Sequence, residues 1–267
     1  MDREFIAKHW YADVYEQFEN QTDDVEFFIK IIRELTGGKP QRILEAACGG
    51  GRISVPLALE GHSVTGFDAN EHMLLRCYSR ARGMQNFSCR KADAVCSDWG
   101  EGFDIVVLAG NVLINIETET DYKSAQRIFI NKTAGALRRG GHLLMDYDQH
   151  SDASALKVFN GTGERVYFEG TDDMGTRGRT VSLGGAYDPI TRVCTGIGHW
   201  ELTANNGEKF IYAEKPRCKH IPSWPQVTGW LSEAGLAVEK TYKNRANEPV
   251  GDNESDYIKA TVWARKD

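Results

Sequence analysis

The chain has 267 residues, 41% of them hydrophobic, 26% charged and 10% aromatic. That make-up excludes a disordered, collagen-like or disulfide-stapled chain and fits an ordinary globular protein. Its 32 basic and 38 acidic residues leave a formal charge of −6, which speaks against a general binder of the nucleic-acid backbone. No apolar run reaches the roughly 18–20 residues of a membrane span. Acidic residues in Met1-Asp-Arg-Glu-Phe5 stand where a signal peptide carries a basic stretch. A cytoplasmic protein with no membrane and no nucleic-acid partner is therefore expected. The six cysteines, Cys48, Cys77, Cys89, Cys96, Cys194 and Cys218, form no CxxC pair. They read as reduced, mostly buried thiols, and no metal site is expected because zinc-type ligand spacings are missing.

Taken in chain order, residues 5–35 carry apolar positions at helical spacing in two groups. Trp10, Val14, Tyr15 and Phe18 form the first; Val25, Phe28, Ile29, Ile32 and Leu35 form the second. Residues 20–24 separate them and supply capping side chains for the second helix, which Gly37 and Gly38 end. An alternation follows. Residues 42–47, 63–67, 87–91, 103–108 and 142–146 read as short apolar strands, and 52–60, 72–82 and 121–137 as helices. Pro56 is acceptable only in a first helical turn. Strand alternating with helix at this rhythm implies an α/β protein with a parallel sheet covered on both faces. Beyond residue 150 the texture changes to short Val-, Tyr-, Phe- and Thr-rich runs over 163–216. These are broken by turn signals at 171–175, 187–189 and 205–207. Asn206-Gly207 is a hairpin signal. An inserted antiparallel β region is expected there, then a helix over 222–233 ended by Gly235, and closing strands over 236–242 and 257–264.

The informative segment is Ile43-Leu-Glu-Ala-Ala-Cys-Gly-Gly-Gly-Arg52, a strand running through a glycine-rich turn into a helix. Glycines at 49 and 51 let a backbone approach a ligand closely. Asp68 ends the second strand, where a carboxylate accepts from ribose hydroxyls. By themselves these features fit NAD, FAD or S-adenosylmethionine. Three further features separate the alternatives. Glu45 lies inside the first strand, where a dinucleotide site packs apolar residues; an acid there suits a cofactor with a cationic amino-acid end. Asp93 closes the third strand, placed to accept from an adenine amino group. The fourth strand opens into Ala109-Gly-Asn-Val112, and Leu137-Arg-Arg-Gly-Gly141 comes later.

Together these residues resemble the class I S-adenosylmethionine-dependent methyltransferases. Within that superfamily the pattern is most similar to the glycine/sarcosine-type and aminosugar N-methyltransferases. The carrying segments are Glu60-Gly-His-Ser-Val-Thr-Gly-Phe-Asp68 with Met73-Leu74, then Leu108-Ala-Gly-Asn111, then Leu137-Arg-Arg-Gly-Gly-His-Leu-Leu-Met-Asp146. The family's first motif reads acid-x-Gly-x-Gly-x-Gly; Ala47 replaces its first glycine here. The resemblance implies a doubly wound, Rossmann-like, seven-stranded sheet. It also implies an N-terminal helical lid over 1–36, a cofactor-binding core over 37–150, an inserted antiparallel substrate region over 151–220, and C-terminal elements over 221–267 that complete the sheet. The insertion would wall the acceptor pocket, with room for a homo-oligomer contact.

By position the resemblance further implies that Glu45, Ala47 and Gly49 surround the methionine part of the cofactor. Asp68 would hold the ribose, Ala69 and Met73 would flank the adenine, and Asp93 and Ala94 would meet its edge. Ala109 and Asn115 would lie near the sulfonium; the glycine N-methyltransferases carry a histidine at the place of Asn115. Tyr15 on the lid would touch the cofactor and Tyr11 the substrate. Asn111, Tyr147 and His150, near the carboxyl edge of the sheet, are the candidates to contact the reacting groups, the last two as bases if the nucleophile is oxygen. Arg177 and Arg217 are candidates for an acidic group on the acceptor. The expected reaction is in-line transfer of a methyl group from S-adenosylmethionine to a small-molecule acceptor, a nitrogen first and oxygen or sulfur second. The rivals are a NAD-dependent oxidoreductase, against which Glu45 and Asp93 speak, and a non-catalytic cofactor-binding protein. A DNA or RNA amino-methyltransferase would carry Asn/Asp-Pro-Pro-aromatic where this chain has Ala109-Gly-Asn-Val112.

Overall fold

A computed structural model describes residues 2–116, 120–149, 161–213, 217–246, 248–250 and 258–267, with side chains described at all of these but 149, 161, 162, 213 and 217. The chain divides into two compact units. One is made of residues 22–151 and 222–267, the other of residues 1–21 and 152–221.

The first unit is the α/β layer. Its sheet contains β1 (Arg42–Ala46), β2 (Ser63–Asp68), β3 (Phe87–Lys91), β4 (Phe103–Leu108), β5 (Leu137–Gln149), β11 (Leu236–Lys243) and β12 (Ile258–Lys266). The order is β11-β12-β5-β4-β1-β2-β3. The five strands from β5 to β3 run parallel, and β12 is antiparallel to both β5 and β11. The chain thus starts in the middle of the sheet and winds outward in both directions, leaving a switch point at the carboxyl ends of β1 and β4. Ligands of open α/β sheets bind at such a point.

Helices α2 (Asp23–Thr36), α3 (Ser54–Leu59), α4 (Glu71–Arg80), α5 (Tyr122–Ala136) and α6 (Trp224–Glu233) cover the sheet. Alternation along the strands sorts the core into two faces. Ile43, Val64, Ile105, Val107 and Leu144 pack with Val25, Phe28, Ile31 and Ile32 of α2 and Leu57 of α3. On the opposite face Phe67 contacts Trp99, with ring centroids 5.2 Å apart, and Trp99 contacts Phe129 of α5 at 4.9 Å.

The helix termini follow the local sequence with two corrections. Gly37 ends α2 in the left-handed conformation at φ 65°, as a C-terminal glycine should. Its N-cap, however, is Thr22, which makes no side-chain capping bond; three acids in the first turn, Asp23, Asp24 and Glu26, favour the helix dipole instead. Helix α6 starts at Trp224 rather than 222, because Ser223 and Gln226 form a reciprocal capping box. Residues 137–141, which precede the strand expected over 142–146, are part of β5. Its extra residues are absorbed by a register shift between Phe103 and Ile105, a bulge in which Gly140 takes φ 71°.

The second unit is an antiparallel sheet of β6 (Gly161–Thr171), β7 (Arg177–Asp188), β8 (Val193–Thr203), β9 (Lys209–Ala213) and β10 (Arg217–His220). The order is β10-β8-β7-β6, with β9 pairing to β8. The expected hairpin at Asn206-Gly207 joins β8 to β9, with Gly207 at φ 84°. Helix α1 (Arg3–Phe18) packs on this sheet through Ile6, Ala7, Trp10 and Val14 against Trp200, Leu202, Ala204 and Phe210. Trp10 Nε1 donates to the Gly170 carbonyl at 3.1 Å. The expected single segment 1–36 is therefore divided: α1 belongs to the antiparallel unit and α2 to the α/β unit. Periodicity shows which side of a helix is apolar but not which surface it meets.

Candidate active site

The site is assembled from the loops that leave the carboxyl ends of β1, β2, β3 and β4. In β1 the side chains of Ile43 and Glu45 share a face. The carboxyl therefore falls where the core continues, and Glu45 is only 4% exposed. The Ser54 hydroxyl at the start of α3 donates to its Oε2. Burial pushes the Glu45 pKa up to about 8, opposed by the Ser54 bond. At neutral pH the carboxyl is protonated unless a cation comes to it.

The turn after β1 contains three left-handed residues: Ala47 at φ 58°, Gly49 at φ 52° and Gly51 at φ 79°. They differ in purpose. A Cβ on Gly49 would meet no atom within 4 Å, so this backbone faces open space. A Cβ on Gly51 would lie 2.8 Å from Cys77 Sγ and 3.0 Å from Val55 Cγ2, so this glycine packs α3 and α4 onto the turn. Ala47 holds a conformation that costs an L-residue about 1 kcal/mol, at the position where the motif has glycine. Arg52 then makes a two-pronged ion pair with Asp24 of α2, Nη1–Oδ1 2.5 Å and Nη2–Oδ2 2.7 Å, tying α2 to the turn.

Asp68, at the end of β2, accepts from the Gly49 N–H through Oδ2 (2.9 Å) and from the Asn70 N–H through Oδ1 (2.8 Å). Burial raises its pKa, against these same bonds. The N-cap of α4 is Asn70, whose side chain accepts from His72 and Met73; Asp68 is thereby left to face the loops. The Ala69 N–H also favours its ionised form; a carboxylate offers about four lone-pair sites, so acceptor capacity is left beside these backbone donors. Asp93 Oδ1 accepts from the Val95 and Cys96 N–H groups, both at 2.7 Å. Ala94 gives its carbonyl to Trp99 Nε1 at 2.9 Å. Met73 is buried and Ala69 exposed.

The loop after β4 is held by residues the sequence reading left out. Asp146 of β5 accepts from the N–H groups of Gly110 (3.1 Å) and Asn111 (2.7 Å). Burial lifts its pKa to about 6, with these donors opposing and Asp148 and Asp24 adding to the rise. Asn111, left-handed at φ 57°, donates from Nδ2 to Asp148 Oδ2 (3.1 Å) and accepts from the Asp148 N–H (3.2 Å). Its amide therefore braces the loop. Asn115 is exposed and donates to the Asn111 carbonyl at 3.3 Å; Ala109 is buried. The signal for Asp146 and Asp148 was their place at the end of a strand beside the switch point, the same signal that selected Asp68.

Tyr147 is corrected as a base: its ring is fully buried and its hydroxyl donates to the Pro222 carbonyl. Alternation in β5 turns it away from the face shared by Asp146 and Asp148. His150 lies outside the described residues. Tyr11, Tyr15, Arg177 and Arg217 belong to the antiparallel unit. There Tyr11 and Tyr15 line a cavity with Phe168 and Trp200. Arg177 is exposed beside Arg179, which pairs with Glu201 at 2.7 Å and Glu164 at 3.1 Å; the Arg217 side chain is among those not described.

Residues 43–141 match the family model described as a methyltransferase domain, the span of the loops and clamps just built. The chain carries a class I S-adenosylmethionine-dependent methyltransferase domain. Glycine N-methyltransferase of Rattus norvegicus is 28% identical to it over 153 residues, covering 53% of this chain and 52% of that protein. The chain thus spans about half the length of the curated relatives it matches. Among solved structures, DesVI of Streptomyces venezuelae superposes with TM-score 0.66 at 16% identity, covering 96% of this chain and 98% of that one. S-adenosylmethionine-bound CalS10, an amino pentose methyltransferase from Micromonospora echinaspora, gives 0.61 at 16% identity, with 91% of each covered. These likenesses carry the fold across both units. S-adenosylmethionine fits the methyltransferase domain's own residues: a buried carboxyl awaiting a cation, an open glycine cradle and a strand-end aspartate. Among the described residues no helix is long and apolar enough to cross a membrane.

Proposed function

We propose that the protein transfers a methyl group from S-adenosylmethionine to a nitrogen of a small-molecule acceptor. The observation that carries the cofactor assignment is Glu45, buried in β1 and protonated near neutral pH beside the open backbone of Gly49. An ammonium at that place restores its charge; the apolar positions of a dinucleotide site would not need one. Asp68 accepts from the ribose hydroxyls through its remaining lone pairs, and Asp93 Oδ2 from the adenine amino group. Ala109, held by the Asp146 clamp on the loop after β4, borders the sulfonium.

The cofactor supplies an activated methyl group on a good leaving group. The residues of the site hold the acceptor in line with it and exclude water. Positioning of this kind contributes roughly 7–11 kcal/mol. Nitrogen is favoured over oxygen on two grounds. An amine loses its proton on entering a desolvated site, whereas a hydroxyl needs a base; of the two candidate bases the Tyr147 hydroxyl is committed to Pro222, and His150 lies outside the described residues. The similar glycine N-methyltransferase also carries nitrogen chemistry in its name. Incubation of the protein with S-adenosylmethionine and panels of amines, aminosugars, phenols and thiols tests this. N-methylated product with stoichiometric S-adenosylhomocysteine is expected; turnover of phenols or thiols alone would overturn the nitrogen assignment.

A further inference from the structure

The antiparallel unit contains a cavity of about 460 Å³, within the range of small-molecule sites. Its floor is one face of β8. Cys194, Trp200 and Leu202 on that face are buried, while Thr195 and Ile197 on the other are exposed. Between them, Gly196 and Gly198 leave the floor without side chains. Neither glycine has a positive φ, so neither is there for its backbone. A Cβ on Gly196 would have as its nearest neighbour the Gly184 carbonyl at 3.9 Å, and one on Gly198 the Val181 carbonyl at 3.4 Å. Side chains would thus fit the strand and enter the cavity; glycine keeps that volume open at a cost in strand stability.

The walls are aromatic. Tyr11, Tyr15 and Phe18 come from α1 and Phe168 from β6. Tyr11 stacks on Trp200 at 4.7 Å with the rings 14° apart, and the two lie on the same aromatic cluster as Phe168, 5.6 Å from Tyr11. Polar side chains, Ser182 and His199 among them, interrupt the apolar lining, and two buried polar atoms stand out. Trp200 is 4% exposed, and its Nε1 has no hydrogen-bond partner among the described residues. The same holds for Thr180 Oγ1, on β7 directly opposite Trp200. A buried indole N–H normally finds an acceptor. Lys219, opposite Cys194 in the β10–β8 pair, adds a cation to the lining, and Glu19 at the end of α1 adds a carboxylate.

We propose that this cavity binds a flat aromatic small molecule bearing an anionic, hydrogen-bond-accepting oxygen. The rings of Tyr11, Phe168 and Trp200 take its plane. Trp200 Nε1 and Thr180 Oγ1 donate to its oxygen, and Lys219 balances its charge. The site lies wholly within the antiparallel unit, so the proposal does not rest on methyl transfer.

The test uses the full chain and 8-anilinonaphthalene-1-sulfonate, a flat aromatic sulfonate whose fluorescence reports binding. One equivalent is expected to bind. Gly196→Leu and Gly198→Val, which fill the floor, are expected to weaken binding about tenfold or more with the circular dichroism spectrum unchanged. Gly196→Ala gives a milder version should either larger variant fail to fold. Trp200→Phe keeps the ring and removes the donor, and is expected to weaken binding about fivefold. 2-Naphthoate should displace the probe, and cyclohexanecarboxylate should do so at least about tenfold less well. Native affinity in folded cavity-filled variants, or equal competition by the two acids, would overturn the proposal. Loss of S-adenosylmethionine binding in native protein would count against the proposed function alone.

Discussion

Glu45 is the residue that the proposed function sets against the cofactor's ammonium, and its protonation gives a signed prediction. Without ligand its pKa is about 8. A cofactor ammonium favours the ionised form, so the bound pKa is lower and binding releases a proton. The affinity for S-adenosylhomocysteine should therefore rise as pH increases from 6 toward about 8. Calorimetry in buffers of different ionisation heat reads both the slope and the released proton. Glu45→Gln mimics the neutral carboxyl and should bind more weakly with this slope removed; an unchanged slope would assign the titration elsewhere. The two glycines of the turn separate in the same way. Gly49→Ala meets no neighbouring atom, but at φ 52° it carries the strain of a left-handed L-residue; it should cost about 1 kcal/mol of stability and weaken cofactor binding besides. Gly51→Ala collides with Cys77 and Val55 and should lower stability by about 1–3 kcal/mol, measured by urea unfolding. Sequence spacing marked both as ligand glycines, because the packing of α4 against Gly51 is a tertiary fact that a local motif does not contain.

At the scale of elements, carboxylates at strand ends hold neighbouring loops by accepting backbone N–H groups. Asp68 of β2 clamps the turn after β1, and Asp146 of β5 clamps the loop after β4. Asp146→Ala leaves the part-buried Asn111 amide without its acceptor, while the exposed Gly110 amide can turn to water; it should cost about 1–2 kcal/mol, visible as a lower urea midpoint. Because the Asp146 pKa is raised to about 6 in the folded chain, ionising it opposes folding. Its own contribution to stability should fall as pH rises from 4 to 6, and the Asp146→Ala variant should lack that dependence. Helix α2 is tied to the same region by Asp24 and Arg52. Strand positions, the glycine turn and the places of the acids at 45, 68 and 93 in or just after strands were legible because alternation and turn chemistry are local. Tyr147 was misplaced because its distance from residue 146 along the chain is one, yet alternation puts the two side chains on opposite faces. Asn111 was legible as a loop residue, but its partner Asp148 comes from a strand brought alongside by the fold.

For the whole molecule, the chain order conceals the division into units. Helix α1 is sequence-adjacent to α2 yet folds with residues 152–221, because its apolar stripe finds Trp200, Leu202 and Phe210. Trp10 lies at the centre of that contact and is fully buried. Trp10→Ala should cost about 3–5 kcal/mol, read as a lower unfolding midpoint in urea; a change within a few tenths would deny α1 its place on the sheet. Length and hydrophobic patterning revealed a parallel core with an antiparallel insertion, while the pairing of the N-terminus with that insertion rests on contacts more than a hundred residues apart, such as Trp10 with Gly170. In the proposed function the carboxyl edge of the parallel sheet holds S-adenosylmethionine through Asp68. Calorimetric titration of the native chain and of Asp68→Ala with S-adenosylmethionine, and of the native chain with NAD, tests this most directly. One S-adenosylmethionine per native chain, no NAD, and an affinity at least about tenfold weaker in the variant, some 1.4 kcal/mol, are expected. Binding of NAD in place of S-adenosylmethionine, or an unchanged affinity in a folded Asp68→Ala protein, would contradict this assignment.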